Sequence, residues 1–171
     1  FALTNFRTLY GWGENLCGQL GLPIKTGYPT PELIKIKELV LELSCQKTHT
    51  LLITTNLNLY SAGLNNYYQT GLGPDKHYTP FKRIENDLDG NPLPKIKAAA
   101  TTSCYSIAVS LSNQIYCWGC CFLDSNPKNM YPRKKVFPGM RDIISVHAIN
   151  STILVFRRPS EHHDESYNTD Q

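Results

Sequence analysis

The chain has 171 residues, of which 41% are hydrophobic and 18% charged, with a formal net charge of +3. This is the composition of an ordinary globular domain, and no apolar run approaches the roughly 20 residues that a membrane-spanning helix needs. The segment Phe1–Phe6 has neither the basic start nor the apolar core of a secretory signal. We therefore expect an intracellular protein, cytoplasmic or nuclear, without a membrane partner.

Three aromatic-glycine boxes repeat along the chain, near residues 9–22, 59–73 and 115–123. Their tyrosines are 50 and then 56 residues apart, a period typical of propellers and solenoids built from like units. The glycines predict tight turns and close backbone approach. The repeated box residues are Tyr10, Trp12, Gly13, Gly18 and Gly21, then Tyr60, Gly63 and Gly71, then Tyr116, Trp118 and Gly119.

A segment that begins with proline follows each box, at Pro31, Pro80 and Pro132. The first residue of an edge strand need not donate a ladder hydrogen bond, which suits proline. We therefore predict an outer strand that starts at each of these prolines.

A third element recurs at residues 43–54, 99–110 and 146–156, and the last copy has no box after it. Counting back 11 residues from Tyr60 and Tyr116 reaches His49 and Tyr105. The sequence thus predicts the same register in both full units.

These boxes, with Thr79-Pro80 and the stretch around His49, resemble the regulator-of-chromosome-condensation repeat family over about residues 2–157. The resemblance implies an all-β chain that forms part of a seven-bladed β-propeller, each blade a four-stranded antiparallel sheet. The third box has lost the family's Gly-Gln-Leu-Gly ending. Glycine of the family pattern is replaced by Gln46, Thr102 and Ala148.

The chain holds two whole repeats, 11–60 and 61–116, with half a unit at either end, or about three blades. An open arc would expose strand edges and an apolar face. We therefore expect residues 1–158 to be a propeller segment, a fragment completed by the remaining blades or by another subunit. Residues 159–171 are an acidic polar tail that we predict to be disordered.

Six cysteines follow the repeat, and we interpret them as small buried hydrophobic residues in a reducing compartment. They are Cys17, Cys45, Cys104, Cys117, Cys120 and Cys121. The Cys117-to-Cys120 spacing suits zinc, but no second ligand pair is apparent, so we predict no metal and no cofactor. The glycosylation pattern at Asn150 falls in a predicted strand, so we interpret it as accidental.

His49 is a candidate general base or a strand-packing residue. No Ser, Cys or carboxylate set can be paired with it from the sequence, which favours packing. Residues 87–91 lack the acidic spacing of a calcium loop and predict an insertion turn. His162, His163 and Asp164 are candidate metal ligands, but in a terminal polar tail we expect them to be solvated.

Basic residues recur beside the proline segments: Lys35 and Lys37, Lys82 and Arg83, and Arg133, Lys134 and Lys135. Residues 1–158 carry 17 Lys and Arg against 10 Asp and Glu, whereas residues 159–171 carry four acids and no base. At corresponding places around an arc, these bases form a rim that attracts an acidic protein or a phosphate backbone. The simpler interpretation, which we prefer, is that they keep outer strands from pairing with other chains.

The family's founding activity is guanine-nucleotide exchange on the small GTPase Ran, with chromatin contact, and many relatives are docking platforms instead. Our first hypothesis is a protein-interaction module within a small-GTPase regulator. The second is exchange activity towards a Ran-like GTPase, with the basic rim on nucleosomal DNA. The protruding wedge of the exchange factor has no recognisable counterpart here. No catalytic residue set is apparent, which disfavours an enzyme with its own active site.

Overall fold

The computed structural model describes residues 1–120 and 130–159, and all regular structure in these ranges is β-strand. The strands are β1 (Ala2–Leu3), β2 (Leu9–Asn15), β3 (Lys25–Ile34), β4 (Val40–Cys45), β5 (His49–Thr54), β6 (Leu59–Leu64), β7 (His77–Arg83), β8 (Ile96–Thr101), β9 (Tyr105–Ser110), β10 (Ile115–Gly119), β11 (Arg133–Lys135), β12 (Ile143–Ile149) and β13 (Thr152–Arg157). The predicted all-β class is confirmed. These residues contain no helix long and apolar enough to cross a membrane.

The strands form four antiparallel sheets in chain order. The first sheet (β1-β2-β3) has three strands, the second (β4-β5-β6-β7) and third (β8-β9-β10-β11) have four each, and the fourth (β12-β13) has two. Every strand pairs with its neighbour along the chain within its own sheet. Two complete four-stranded units with a partial sheet on either side agree with the predicted arc of about three blades.

Hydrophobic clusters lie between successive sheets. In β5, Leu52 shares a cluster with Leu9 of the first sheet. Leu51 and Ile53 belong to a different cluster, with Trp118 of the third sheet. All six residues of β5 are buried, so this strand lacks the alternation of a sheet with one wet face. Another cluster joins the third and fourth sheets, and the sheets are therefore held as a stack.

The predicted register holds in both full units. His49 begins β5 and pairs with Gly63, and Tyr105 begins β9 and pairs with Gly119. Gly63 has a φ of 121°, and a Cβ there would overlap the carbonyl oxygen of Thr48. Glycine is required at this position because the backbone at the start of β5, at Thr48 and His49, lies directly against it.

The predicted start of the outer strands is wrong for two of the three prolines. Pro31 and Pro80 lie inside β3 and β7, and Pro132 alone directly precedes its strand. The pairing shifts register opposite Pro31 and Pro80, between Gly11 and Gly13 and between Ser61 and Gly63. A β-bulge leaves a residue outside the ladder, so the missing N–H of proline costs nothing there.

The interpretation of the cysteines as uniformly buried and reduced is also wrong. Cys104 and Cys120 form a disulfide with their Cα atoms 5.6 Å apart. They meet because Cys104 precedes β9 and Cys120 follows β10, at the same end of two paired strands. Cys45 is exposed and Cys17 half-buried, whereas Cys117 is buried as predicted. The sixth cysteine, residue 121, lies outside the described residues.

The structure confirms the predicted turn at residues 87–91 but not the predicted position of Asn150. Residues 87–91 form a turn closed by the Asp87 N–H donating to the Asn91 carbonyl at 2.8 Å, as predicted. Asn150 lies in an exposed turn between β12 and β13 with a φ of 55°, and its predicted strand placement is wrong. The end of the third box and the tail beyond residue 159 lie outside the described residues.

We predict that Gly71→Ala destabilises the protein far more than Gly90→Ala. Both glycines have positive φ, 71° and 81°, so both changes cost about 1 kcal/mol of backbone strain. A Cβ on Gly71 would also lie 2.6 Å from Nε1 of the buried Trp118, whereas Gly90 has open space. Overpacking adds about 1–3 kcal/mol. Equal midpoints for the two variants in urea unfolding would contradict this packing.

Candidate functional site

Buried asparagines hold the loops that follow the first two boxes. The side-chain amide of Asn15 donates to the carbonyls of Leu22 and Pro23, at 3.1 and 2.9 Å. Its Oδ1 accepts the Leu20 N–H at 2.9 Å. Asn15 is fully buried, so these bonds fix the shape of the loop between β2 and β3.

The loop between β6 and β7 repeats this arrangement. Asn65 Nδ2 donates to the carbonyls of Gly73 and Asp75, each at 2.7 Å, and Oδ1 accepts the Thr70 N–H at 3.0 Å. The loops of two successive sheets therefore have the same internal support. The Asn that recurs at one position of the first two boxes is the sequence signal from which this loop support could have been predicted.

Backbone carbonyls at equivalent positions anchor each loop to the next sheet, and in the first loop the Leu22 carbonyl also accepts the Thr79 hydroxyl of β7 at 2.8 Å. The Gln19 carbonyl accepts the Thr50 hydroxyl at 2.8 Å. In the following unit, the Gln69 carbonyl accepts the Ser106 hydroxyl at 2.8 Å and the Trp118 indole N–H at 2.9 Å. Thr50 and Ser106 are equivalent positions, one residue into β5 and β9, so the same joint connects successive sheets.

His49 belongs to the second of these joints. Its Nε2 lies 2.8 Å from the Ser106 hydroxyl. Because that hydroxyl donates to Gln69, Nε2 carries the proton and donates to Ser106. Nδ1 has no partner among the described residues. His49 and Ser106 are both 0% exposed, so no substrate reaches this pair and the geometry favours the packing role over the general base.

The box aromatics differ in burial. Tyr60, Tyr116 and Trp118 are buried, Tyr10 is half-buried, and Trp12 is 42% exposed. Trp118 packs on the loop of the second sheet. Leu9 of β2 packs towards the second sheet, so Trp12, three positions along the same strand, lies on the opposite face. The outer face of the first sheet therefore presents a large apolar side chain.

Two of the three predicted basic sets converge. Lys35 and Lys37, in the linker between β3 and β4, line one groove of about 640 Å³ together with Lys82 and Arg83 of β7. The third set, Arg133–Lys135, forms β11 on the outside of the third sheet and does not line this groove. The sequence suggested a discontinuous rim, and the fold concentrates its first two parts at the junction of the first and second sheets.

Glu38 organises one wall of this groove. Its carboxylate accepts hydrogen bonds from Thr54 at 2.7 Å, Asn58 at 2.8 Å and Tyr60 at 3.0 Å. Partial burial alone would raise the pKa of Glu38, but these bonds, led by Thr54, lower it to about 2. Glu38 is therefore a fixed anion that ties the linker to β5 and β6. The sequence gives no signal for it, because all its partners lie on other elements.

No group of three or more His, Cys, Asp or Glu side chains within residues 1–120 and 130–159 is arranged to hold a metal ion. The site in these residues is a basic groove at a sheet junction. Such a surface is suited to binding, and its lining holds no Ser, Thr, Cys or His side chain, so no pair of such a nucleophile with a histidine base forms in it.

Comparison with known proteins gives relatives but no family model that matches. The human X-linked retinitis pigmentosa GTPase regulator is 31% identical over 119 residues, 68% of this chain and 11% of that protein. The guanine nucleotide exchange factor SRM1 of Saccharomyces cerevisiae is 28% identical over 134 residues, 70% of this chain and 28% of that protein. The chain thus spans less than a third of either relative.

Solved structures share the fold. Yeast RCC1 (Prp20), in a crystal structure bound to Kap60, matches with a TM-score of 0.75 and 22% identity over 90% of this chain and 38% of that one. A structure of Prp20p from Saccharomyces cerevisiae, reported with its binding properties to Gsp1p and histones, matches with a TM-score of 0.67 and 23% identity over 86% of this chain and 39% of that one. The chain belongs to the RCC-type repeat family. Its described residues are part of an RCC-type β-propeller, and the Asn15 and Asn65 loops are the corresponding loops of two successive repeats.

We predict that His49 makes the stability of this RCC-type segment depend on pH. Burial lowers the pKa of His49 from 6.5 to about 3. The unfolded chain therefore binds more protons in this window, so the free energy of unfolding falls as the pH drops from 6.5 towards 3. His49→Gln keeps a side-chain N–H donor for Ser106 and removes this contribution. Urea unfolding at about pH 7 and about pH 5 measures it. The same pH dependence in wild type and His49→Gln would contradict the prediction, and His147→Gln, at an exposed position, is the control.

We predict that Glu38→Gln lowers the free energy of unfolding by about 1 kcal/mol, since it weakens hydrogen bonds to a charged acceptor that solvent partly screens. Glu32→Gln, an exposed change on β3, is the matched control and has little effect. Urea unfolding near neutral pH compares the two. A Glu38→Gln protein as stable as the control would show that the carboxylate does not hold the linker.

Proposed function

We propose that this chain is a docking domain of a small-GTPase regulator, which binds a protein partner without covalent chemistry. Its relatives include a protein named as a GTPase regulator and one named as a guanine nucleotide exchange factor. The observation that carries the docking role is the convergence of Lys35, Lys37, Lys82 and Arg83 in one open groove. The polar pair that resembles a catalytic dyad, His49 and Ser106, is fully buried.

A second candidate is nucleotide exchange on a Ran-like GTPase, with chromatin contact. The relative SRM1 is named an exchange factor, and the matching Prp20p structure is reported with binding to Gsp1p and histones. Nucleotide exchange requires only a protein surface that opens the nucleotide site of the GTPase. Like docking, it therefore needs no set of catalytic residues. The excess of Lys and Arg in residues 1–158 is compatible with contact to a phosphate backbone.

We further propose that additional blades or another subunit cover the two ends of the stack. Trp12 of the first sheet is 42% exposed, and Leu16, in the turn that follows β2, is 55% exposed. On the fourth sheet, Ile144 and Phe156 are 57% and 52% exposed. Exposed apolar side chains grouped on a sheet face are typical of an interface.

We propose an intracellular location, cytoplasmic or nuclear, for a protein with this function. In such a compartment the Cys104–Cys120 disulfide is open to reduction.

Capture on an immobilised Ran-like GTPase tests the proposed function. We expect the chain to be retained by the GTPase and, if it is an exchange factor, to bind the nucleotide-free form best and to leave when GTP and Mg²⁺ are added. Retention without faster release of labelled GDP would indicate docking alone. If the chain is not retained by the GTPase in its nucleotide-free form, its GDP form or its GTP form, the GTPase assignment is wrong.

A further inference from the structure

The groove between the first and second sheets has two walls from different parts of the chain. Lys35, Ile36 and Lys37 come from the linker after β3, and Lys82 and Arg83 come from the end of β7. The groove measures about 640 Å³. This is within the usual size of a ligand cleft, about 300–1,000 Å³, and is large enough for a few residues of an extended chain.

The charges in this groove are mostly unpaired. Four cations line it against two carboxylates, Glu38 and Glu85. In the described part of the chain, Lys35, Lys37 and Arg83 form no ion pair or side-chain hydrogen bond, and Lys82 lies 5.0 Å from the ring of Tyr78. Glu38 is occupied by neutral donors from β5 and β6. The groove thus has cations available for a ligand's carboxylates.

Apolar residues line the same groove as these cations. Pro80 is exposed and Ile36 is half-buried. Ile36 packs against the hydrophobic cluster that contains Tyr60 and Phe81, which are 9% and 8% exposed and also belong to the lining. A lining of exposed cations with apolar side chains among them suits a segment in which an apolar residue is flanked by acids.

We propose that this groove docks an acidic, extended segment of a protein partner, with one aromatic or aliphatic side chain over Ile36 and Pro80. Carboxylates on either side pair with Lys35 and Lys37 on one wall and with Lys82 and Arg83 on the other. This rests on the proposed docking function and names the class of partner that the groove accepts.

Two observations favour this occupant. Protection of a strand edge explains Lys82 and Arg83 on the outer strand β7, and also Lys35, which directly follows the edge strand β3. It does not explain Lys37, which lies further along the linker to β4. A continuous phosphate backbone would meet Glu38 and Glu85 in the same lining, whereas a peptide can place its acids beside the cations alone.

Fluorescence anisotropy with the full chain tests this. The probe is a short labelled peptide of Glu and Asp with one central Phe, and the comparison probes are the same peptide with Gly in place of Phe and a duplex DNA. The groove variant is Lys35→Glu with Lys82→Glu, one change in each wall. The matched control is Lys47→Glu with Lys76→Glu, which changes the net charge equally at exposed positions outside the groove. Lys35→Gln with Lys82→Gln is a milder second variant, and urea unfolding confirms that all variants fold.

We expect the Phe peptide to bind wild type and to bind the groove variant about tenfold more weakly, since each reversal removes an attraction and adds a repulsion. The control should bind within about twofold of wild type, and affinity should fall with added salt. Equal losses in groove and control variants, no gain from Phe, or no peptide binding would overturn the proposal. Duplex DNA that binds more tightly and loses more in the groove variant would overturn it in favour of nucleic acid. Because the GTPase capture is read separately, a groove that binds no acidic peptide and a chain that binds no GTPase are distinguishable results.

Discussion

The fold depends on sheets that cannot exist alone, because the central strands are buried on both faces. β5 has no wet side, so the second sheet needs the first and the third to cover it. The joints that set the spacing are carbonyls of Gln19 and Gln69, each accepting a hydroxyl from the next sheet. A hydrogen bond at such a joint is directional where the hydrophobic contact is not. The repeated joint therefore fixes how the sheets are placed relative to one another.

The groove is a consequence of this stacking. The outer strand β7 of the second sheet and the linker leaving the first sheet can share a cleft only if the two sheets are held in register. Glu38 adds a local bond from the linker to β5 and β6, through Thr54 and Tyr60. A rigid cleft loses less conformational freedom on binding than a mobile one, which is the physical link between the packing of this RCC-type repeat and the docking role proposed for it.

The sequence predicted the parts of the fold that rest on local chemistry. The box glycines and tyrosines indicated the repeat, and their spacing placed His49 and Tyr105 at equivalent positions, because a fixed period carries register from one unit to the next. That these two residues begin β5 and β9 was not predicted. The prolines were misplaced, since a bulge is set by the partner strand rather than by the proline. The bases were recognised individually, but their convergence depends on two elements nearly 50 residues apart, 35–37 and 82–83. Glu38 gave no signal for the same reason.

Native-state hydrogen exchange tests the central claim of a jointed stack most directly. If the sheets support one another, the amides of β5, β6, β8, β9 and β10 should exchange most slowly and as one cooperative group, because these strands are covered on both faces. The first and fourth sheets should exchange faster. Independent exchange of the second and third sheets, or equal protection across all four, would contradict the account.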